Sequence, residues 1–299
     1  MPTSVPELVD ILDLERIDLD LYRGAQPPQS TLQRVFGGQV AAQALMAACR
    51  SVDDDRRPHS LHSYFLRGGD TAVPIVYDVE RIRDGTSFST RRVSARQHGR
   101  AIYYLTASFQ RPEQGFEHQD TMPDVPQAES CPDLAEILGT VSSRAADSWR
   151  QEWSALEVRY VGDTRPDGGL DPHGRPARAR LWFRAATELP SAPDLHTCVL
   201  TYASDLTLLG SSLIPHGVLV GQPGLQAASL DHAVWFHRPV RADSWLLYDQ
   251  VSPTATGGRG FAQARIFAAD GTLVASVAQE GLIRMRASTP PADRSPAQR

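Results

Sequence analysis

The chain has 299 residues, a formal net charge of −5 at pH 7, and 41% apolar and 22% charged residues. These fractions are typical of a globular protein and argue against wholesale disorder. The mild negative charge argues against a general nucleic-acid binder, which would present a basic face. All 30 basic residues are arginine, so Schiff-base lysines, P-loop and kinase lysines and Ser–Lys dyads are excluded together.

The cysteines and histidines also limit the possible chemistry. Cys49, Cys131 and Cys198 are an odd number without CxxC spacing, which predicts reduced thiols in a cytoplasmic protein. The nine histidines are scattered and form no HExxH motif, so we expect no metal site. No run approaches about 20 uninterrupted apolar residues, so we expect no membrane span. The acidic N-terminus does not resemble a secretory signal.

The first half begins with a predicted strand at residues 14–22. Residues 38–50, GQVAAQALMAACR, are small and apolar on nearly every face, which predicts a helix surrounded by other structure. Two alternating runs, SFSTRRVSARQ and RAIYYLTASFQ, flank a turn at residues 97–99, and this pattern predicts a β-hairpin.

A segment rich in proline and polar residues, 113–150, reads as a linker, with a short helix predicted at Leu134–Val141. The second half then repeats the order of the first. A strand is predicted at residues 157–161, an apolar helix at 195–213, and a hairpin whose turn is at 269–271. The last residues, 287–299, are rich in proline and are predicted to be disordered.

An internal repeat connects the two halves. YFLRGG at 64–69 is followed by YDV at 77–79, and WFHRPV at 235–240 is followed by YDQ at 248–250. The offset of 171 residues holds, within one residue, as far as the hairpin turns. A single repeat of this length indicates two copies of one domain rather than a solenoid. The predicted fold class is therefore α+β, with one central helix and a run of antiparallel strands in each half.

Several common catalytic motifs are absent. The sequence has no GxSxG, no GxGxxG and no Walker A motif, which weakens a serine-hydrolase prediction and excludes nucleotide binding through those loops. Cys49 lies within the apolar helix, where a buried inert thiol is expected rather than a nucleophile.

Stretches in both halves together resemble one family, the acyl-CoA thioesterase II (TesB-like) family with its peroxisomal relatives. They are VFGGQVAAQAL at 35–45, HSLHSYFLRGGD at 59–70, YDVERIRDGTSFSTRRV at 77–93, LTASFQ at 105–110, YASDLTLL at 202–209, SLDHAVWFHRP at 229–239 and VASVAQEGLIR at 274–284. The resemblance runs from about residue 12 to 284 in the family's order. Residues 113–155 resemble the family poorly, and Gly68-Gly69 departs from the family's Pro-Gly.

The resemblance implies a tandem double hotdog fold, with each central helix wrapped by a curved antiparallel sheet. The implied domains are 1–112 and 151–286, joined by the linker. It also implies hydrolysis of acyl-CoA to a fatty acid and CoA, without a cofactor. The family's catalytic Asp, Ser or Thr, and Gln correspond to Asp205, Ser229 and Gln279.

The chemistry of a thioester is consistent with these three residues. The leaving thiolate has a parent pKa of about 8.5, so it departs without strong acid assistance. Asp205 can accept a proton from water, and Ser229 and Gln279 can hold that water, with no covalent intermediate. Gly37 and Gly38 at the start of the first helix are candidate oxyanion elements or simple turn glycines. Each of the three also has a structural interpretation: Asp205 as core, Ser229 and Gln279 as strand residues.

Arginines are suited to the phosphates of CoA. The candidates are Arg91, Arg92 and Arg96 on first-half strands and Arg259 in the stretch TGGRG before a second-half strand. Two neighbours of Ser229, Asp231 and His232, suggest a triad, but adjacent strand residues point to opposite faces, so a structural role is favoured for His232.

Two other functions remain open. Enoyl-CoA hydratases share the hotdog architecture, but their motif places a His five residues after the catalytic Asp, where this chain has Gly210. A non-enzymatic acyl-CoA-binding protein would not need the Asp205, Ser229 and Gln279 set. The symmetry of the fold also predicts a homodimer or homotetramer.

Overall fold

The computed structural model describes residues 1–162 and 177–285. Within them the strands of both halves join one antiparallel sheet around two central helices. The helices are α1 (Val5–Leu12), α2 (Gly37–Cys49), α3 (Leu134–Val141), α4 (Ser143–Trp153) and α5 (Pro193–Ser204). The strands of the first half are β1 (Glu15–Asp18), β2 (Leu21–Gly24), β3 (Arg57–Phe65), β4 (Ile75–Asp84), β5 (Phe88–Gln97) and β6 (Arg100–Gln110). Those of the second half are β7 (Leu156–Gly162), β8 (Arg178–Ala185), β9 (Leu225–Ser229), β10 (Asp231–Phe236), β11 (Leu246–Thr256), β12 (Arg259–Ala268) and β13 (Leu273–Met285).

The two central helices, α2 and α5, pack against each other inside the sheet. Helix α2 is rich in alanine, which favours helix and leaves room for close packing, and almost all of its residues are buried. Helix α5 begins at Pro193, a residue pre-organised for the first helical position. The burial of these helices on nearly every face confirms the prediction of helices surrounded by other structure.

The sheet has an internal two-fold pattern. Its strand order is β1-β2-β4-β5-β6-β3-β10-β13-β12-β11-β8-β7, with β9 paired to β13. At the centre His62 of β3 faces Ala233 of β10, and these residues are 171 apart, the offset of the sequence repeat. The repeat predicted from the sequence is therefore also a repeat of the structure, and the tandem double hotdog fold is confirmed.

Both predicted hairpins are present. The β5–β6 turn holds His98 and Gly99 at φ of 48° and 72°, and the β12–β13 turn holds Gly271 at φ of 90°. Positive φ is cheap for glycine, and for this reason glycine occurs at these turns.

Two predicted boundaries were wrong in detail. The helix expected over 195–213 ends at Ser204, and a separate 3₁₀ turn follows at Leu208–Ser212. At the end of α5 the hydroxyl of Ser204 bonds to the carbonyl of Thr201 at 2.8 Å, the kind of local bond that competes with helix continuation. The strand expected over 14–22 is a hairpin, because Asp20 turns the chain at φ of 58°.

The predicted linker carries more helix than expected. Its short helix at Leu134–Val141 is confirmed, and α4 extends from Ser143 to Trp153, beyond the predicted linker end at 150. The non-helical part of the linker, before α3, crosses the outer face of the second half, where Trp182 Nε1 donates to the carbonyl of Pro126 at 2.9 Å. The domain boundaries remain predictions, and the tail at 287–299 lies outside the described residues.

One stretch in the described ranges, Pro193–His216, has the length and mean hydropathy (1.2) of a membrane span, but 72% of its most apolar window is buried inside the protein. It contains α5, so its apolar character is that of a core helix. Cys49, Cys131 and Cys198 are free thiols and all are buried.

Candidate active site

Asp205 occupies the C-terminal end of α5. It is the C-cap residue, with φ −87° and ψ −4°, and its exposed fraction is only 9%. The end of α5 lies close to the start of α2, because a Cβ added to Gly37 would stand 2.6 Å from Asp205 Oδ2. A carboxylate is therefore held at the junction of the two halves, largely out of water.

Ser229 and Gln279 converge on this carboxylate from two neighbouring strands. Ser229 ends β9 and pairs with Gly281 of β13, and Gln279 faces inward and is fully buried. Ser229 Oγ donates to Asp205 Oδ1 at 3.2 Å. Gln279 Nε2 donates to the same oxygen and to Ser229 Oγ at 2.9 Å. The structure thus brings all three predicted catalytic residues into one hydrogen-bonded cluster.

The amide of Gln279 has a definite orientation. A carboxylate only accepts hydrogen bonds, so the NH₂ group must face Asp205 and the carbonyl oxygen must face away. Gln279 Oε1 is buried without a hydrogen-bond partner among the described residues. A buried carbonyl without a partner is costly, which makes this oxygen a candidate acceptor for a bound donor.

Burial changes the acidity of Asp205. Desolvation raises its pKa from 3.8 to about 6, while the hydrogen bonds from Gln279, Ser229 and the Gly38 amide oppose the rise. Burial is the larger effect because a charged carboxylate loses its water shell. The group is therefore still mostly ionised at neutral pH, yet it is a stronger base than an exposed Asp.

Gly37 and Gly38 have a steric role that their sequence left open. A side chain at Gly37 would meet both Asp205 and the Phe65 ring, and the Gly38 amide hydrogen-bonds to Asp205. No side chain caps this end of α2, so its first amides point toward the carboxylate. Glycine at 37 is required for close approach, whereas an oxyanion role for either glycine remains a prediction.

Two polar residues close to Ser229 in the chain, Asp231 and His232, bond to residues that adjoin the site, and sequence reasoning missed this positioning. His232 Nε2 lies 2.8 Å from Ser204 Oγ, directly before Asp205, and Asp231 Oδ1 accepts the Glu280 amide at 2.7 Å, directly after Gln279. The two neighbours of Ser229 therefore point to different partners, as strand alternation requires. The sequence contained a signal for these contacts, because Asp231 and His232 are polar residues in an otherwise apolar strand.

The structure does not support a phosphate-binding role for Arg91. Its guanidinium is buried and donates to Ser51 Oγ at 2.9 Å, to the Ser51 carbonyl at 3.0 Å and to Asp84 at 2.7 Å. Arg91 shares its strand face with Val93 and Ala95, which are also buried. That period of two was the available signal that Arg91 points inward.

The other arginine candidates lie on the outer face of the sheet. Arg92 contacts Glu80 at 3.4 Å and Arg96 contacts Asp78 at 4.0 Å. Arg259 pairs with Glu280 at 2.9 Å, on the opposite strand face from Gln279. All three remain candidates for CoA contacts outside the pocket, and the structure does not bring them to Asp205.

The equivalent positions in the first half do not repeat the cluster. Arg50 is the C-cap of α2, where α5 has Asp205. Pairing of β5 with β6 places Ala107 opposite Arg91, in the register position that Gln279 of β13 holds opposite Ala262 of β12. Arg91 thus fills the space that Ala262 leaves open in the second half, so the cluster forms once in the described part of the chain.

Comparison with known proteins gives a consistent assignment. Residues 25–110 match the profile of the acyl-CoA thioesterase N-terminal domain, and residues 165–282 match the acyl-CoA thioesterase profile. Acyl-CoA thioesterase 2 of Haemophilus influenzae is 42% identical over 287 residues, covering 95% of this chain and 99% of that protein. Acyl-coenzyme A thioesterase 8 of Mus musculus is 40% identical, covering 93% and 89%.

Solved structures agree with the sequence relatives. The acyl-CoA thioesterase II TesB2 of Mycobacterium marinum is 45% identical with a TM-score of 0.79, covering 95% of this chain and 99% of that one. A hot dog fold protein of Alicyclobacillus acidocaldarius is 19% identical with a TM-score of 0.74, over 93% and 97% of the two chains, and shows the fold alone. Together with the profile matches over both halves, these similarities show that the chain belongs to the acyl-CoA thioesterase family.

Proposed function

We propose that this protein hydrolyses acyl-CoA to a free fatty acid and CoA, with Asp205 as the general base. The observation that carries this proposal is the buried cluster in which Ser229 and Gln279 both donate to Asp205 Oδ1. A base works best when its pKa lies near the working pH, and the pKa of about 6 for Asp205 meets that condition.

The proposed reaction has two steps. Asp205 accepts a proton from a water molecule as the water oxygen bonds to the thioester carbonyl carbon, which places a negative charge on the carbonyl oxygen. Collapse of this tetrahedral intermediate breaks the carbon–sulfur bond, and the proton held by Asp205 passes to the departing CoA thiolate. The amide end of α2 at Gly37 and Gly38 is proposed to stabilise the oxyanion, because helix N-termini favour negative charge.

Ser229 and Gln279 are proposed to position the water. Gln279 Oε1 has no partner among the described residues, so it can accept a hydrogen bond from water while its Nε2 remains bound to Asp205 and Ser229. Holding the nucleophile in line converts a bimolecular encounter into an oriented attack, an effect of several kcal/mol.

The first experiment is thiol release from acyl-CoAs ranging from acetyl to palmitoyl, including a methyl-branched ester. We expect release by the wild type and at least about a hundredfold loss of kcat in Asp205→Asn. Asp270→Asn and Gln263→Ala are matched controls, because both side chains lie at exposed positions on the hairpin. Turnover that survives Asp205→Asn would contradict the assignment, and acyl-CoA binding without any release would indicate the non-enzymatic alternative.

A second experiment separates water attack from attack by the carboxylate itself. In a single turnover in ¹⁸O-labelled water, direct attack places the label in the fatty acid and leaves Asp205 unlabelled. An anhydride on Asp205 that water attacks at the Asp205 carbonyl carbon would place the label in the Asp205 carboxyl group, which mass spectrometry of the peptide detects. Label in Asp205 after one turnover would overturn the proposed mechanism but not the thioesterase activity.

We also propose that the outer face of the first half binds a second copy of this chain. Tyr64 and Tyr104 are 63% and 42% exposed there and face each other across β3 and β6, beside a concavity of about 650 Å³. The corresponding face of the second half is covered by the chain's own linker, which packs Met122 and Val125 against Phe267.

The charges on this face favour a like partner. The acids Asp78 and Glu80 on β4 alternate with Arg92 and Arg96 on the adjacent β5, so two copies related by a two-fold axis present opposite charges to each other. Light scattering should give a multiple of 32.8 kDa, and Tyr104→Arg should shift it toward one chain, whereas Leu19→Arg at an exposed turn should not. A wild-type monomer would contradict this arrangement.

A cytoplasmic location remains a prediction, which the free thiols support.

A further inference from the structure

Next to Asp205 lies a buried hydrogen-bonded group, Ser204 with His232 and Tyr248, here called the relay, which takes no direct part in the proposed reaction. Ser204 immediately precedes Asp205 and is fully buried. Both of its polar groups are held: His232 Nε2 lies 2.8 Å from Ser204 Oγ, and Tyr248 OH donates to the Ser204 carbonyl at 2.6 Å. The last turn of α5 is therefore tied to β10 and β11.

The geometry favours one tautomer of His232. With the single proton of Ser204 Oγ directed at the Thr201 carbonyl, 2.8 Å away, the 2.8 Å contact with His232 is made by an Nε2–H donor, and we assign the proton to Nε2 on this basis. Burial lowers the pKa of His232 to about 4, which keeps the ring neutral at physiological pH. His232 is therefore an imidazole with its proton on Nε2, directed at the residue before the catalytic Asp.

Strand β10 is a firm support for this ring. The His232 carbonyl accepts from Ser63 Oγ of β3 at 2.7 Å, and β10 is paired on both sides, with β3 and with β13. The final carbonyls of a helix have no intrahelical partners, so α5 would fray at Ser204 without such bonds. A buried carboxylate also gains free energy by turning toward water, so Asp205 needs to be restrained.

We propose that His232 is a positioning residue, whose Nε2–H holds Ser204 and through it keeps the Asp205 carboxylate directed at Ser229 and Gln279. This role rests on the proposed function. The ring itself does not contact Asp205, so it transfers no proton in the reaction. Its effect is to keep the base in its desolvated position, which maintains both the orientation and the basicity of the carboxylate.

Four variants test the relay. His232→Leu removes the donor at similar volume, His232→Gln keeps an N–H near the Nε2 position, and Ser204→Ala removes the acceptor. His237→Leu is the matched control, because His237 Nε2 makes the same 2.8 Å contact with a serine, Ser276, on the exposed side. Each is assayed for kcat, KM, the pH profile of kcat/KM, and unfolding by urea.

We expect His232→Leu to lower kcat about tenfold or more while KM changes little, and to move the acidic limb of the pH profile downward as Asp205 gains water. Among the described residues, Tyr103 and Tyr248 interact electrostatically with Asp205, and burial raises their pKa values further above the acidic range. His232 itself has a pKa of about 4, so a limb near pH 6 reports Asp205. His232→Gln should restore most of kcat, and Ser204→Ala combined with His232→Leu should cost no more than either alone.

The outcomes distinguish this role from the proposed function. A wild type without thiol release would overturn the proposed function itself. An active wild type, with an unchanged kcat and pH profile in His232→Leu and a loss only in stability, would overturn the positioning role alone. Where His232→Leu does not fold, Ser204→Ala makes the same test, because it deletes one oxygen and leaves the strand intact.

Discussion

Replacing Asp205 by Asn should make the enzyme inactive and more stable. Asp205 is buried, and desolvation raises its pKa from 3.8 to about 6. A pKa raised in the folded state means that the folded protein holds the proton more tightly than the unfolded chain does. Ionisation therefore destabilises the fold, and the cost is absent below pH 3.8 and fully present above pH 6.

The size of this effect follows from the two pKa values. A difference of about 2 at 1.36 kcal/mol for each pH unit gives about 3 kcal/mol at pH 7.5. Asn retains an oxygen that accepts from Ser229 and Gln279, and it carries no charge to desolvate. We therefore expect Asp205→Asn to raise the free energy of unfolding by up to about 3 kcal/mol, or about 6 °C in Tm for a chain of this size.

The assay is urea or thermal unfolding of wild type and Asp205→Asn at pH 7.5 and pH 4. The difference in unfolding free energy between Asp205→Asn and the wild type should shrink to below about 1 kcal/mol at pH 4, because the wild-type carboxyl is already protonated in the folded protein at that pH. Asp270→Asn is the matched control with the opposite sign, because the Thr272 amide lowers the pKa of Asp270. An Asp205→Asn protein less stable than the wild type, or a stability difference independent of pH, would refute the claim that the Asp205 carboxylate is destabilised by desolvation.

Three further predictions follow from the same contacts. The kcat/KM of the wild type should rise with pH through about 6 and level off above it, since the proposed reaction uses the Asp205 carboxylate, whose pKa burial raises to about 6; a profile flat down to pH 4.5 would contradict the raised pKa. Gly37→Ala should lower kcat in the thiol-release assay, because its Cβ would stand 2.6 Å from the Asp205 carboxylate, and an unchanged kcat would mean that the two helices separate freely. Arg91→Met should lower the free energy of unfolding by about 1–3 kcal/mol, because the buried Ser51 loses its donor while the half-exposed Asp84 stays hydrated; KM for acyl-CoA should stay unchanged, and a raised KM would restore Arg91 as a CoA contact.

Much of the fold was predictable because its signals are local. The alternation on β5 and β6, the glycines at their turns and the apolar helix α2 each act within a few residues. The repeat between the halves predicted two copies of one domain, and His62 and Ala233, which are one repeat offset apart, meet at the centre of the sheet. The boundary of α5 was missed because the hydroxyl of Ser204 bonds back to the Thr201 carbonyl and competes with the helix there.

The sequence by itself determined the two-copy architecture, the hairpins and, through a family resemblance, the identity of Asp205, Ser229 and Gln279. Only the tertiary structure decided that these residues, 24, 50 and 74 positions apart from one another, share hydrogen bonds. It also decided that Arg91 is buried and that the Asp205 carboxyl is buried with a raised pKa. These properties depend on desolvation and on contacts between distant segments, and both arise when the sheet closes around its helices.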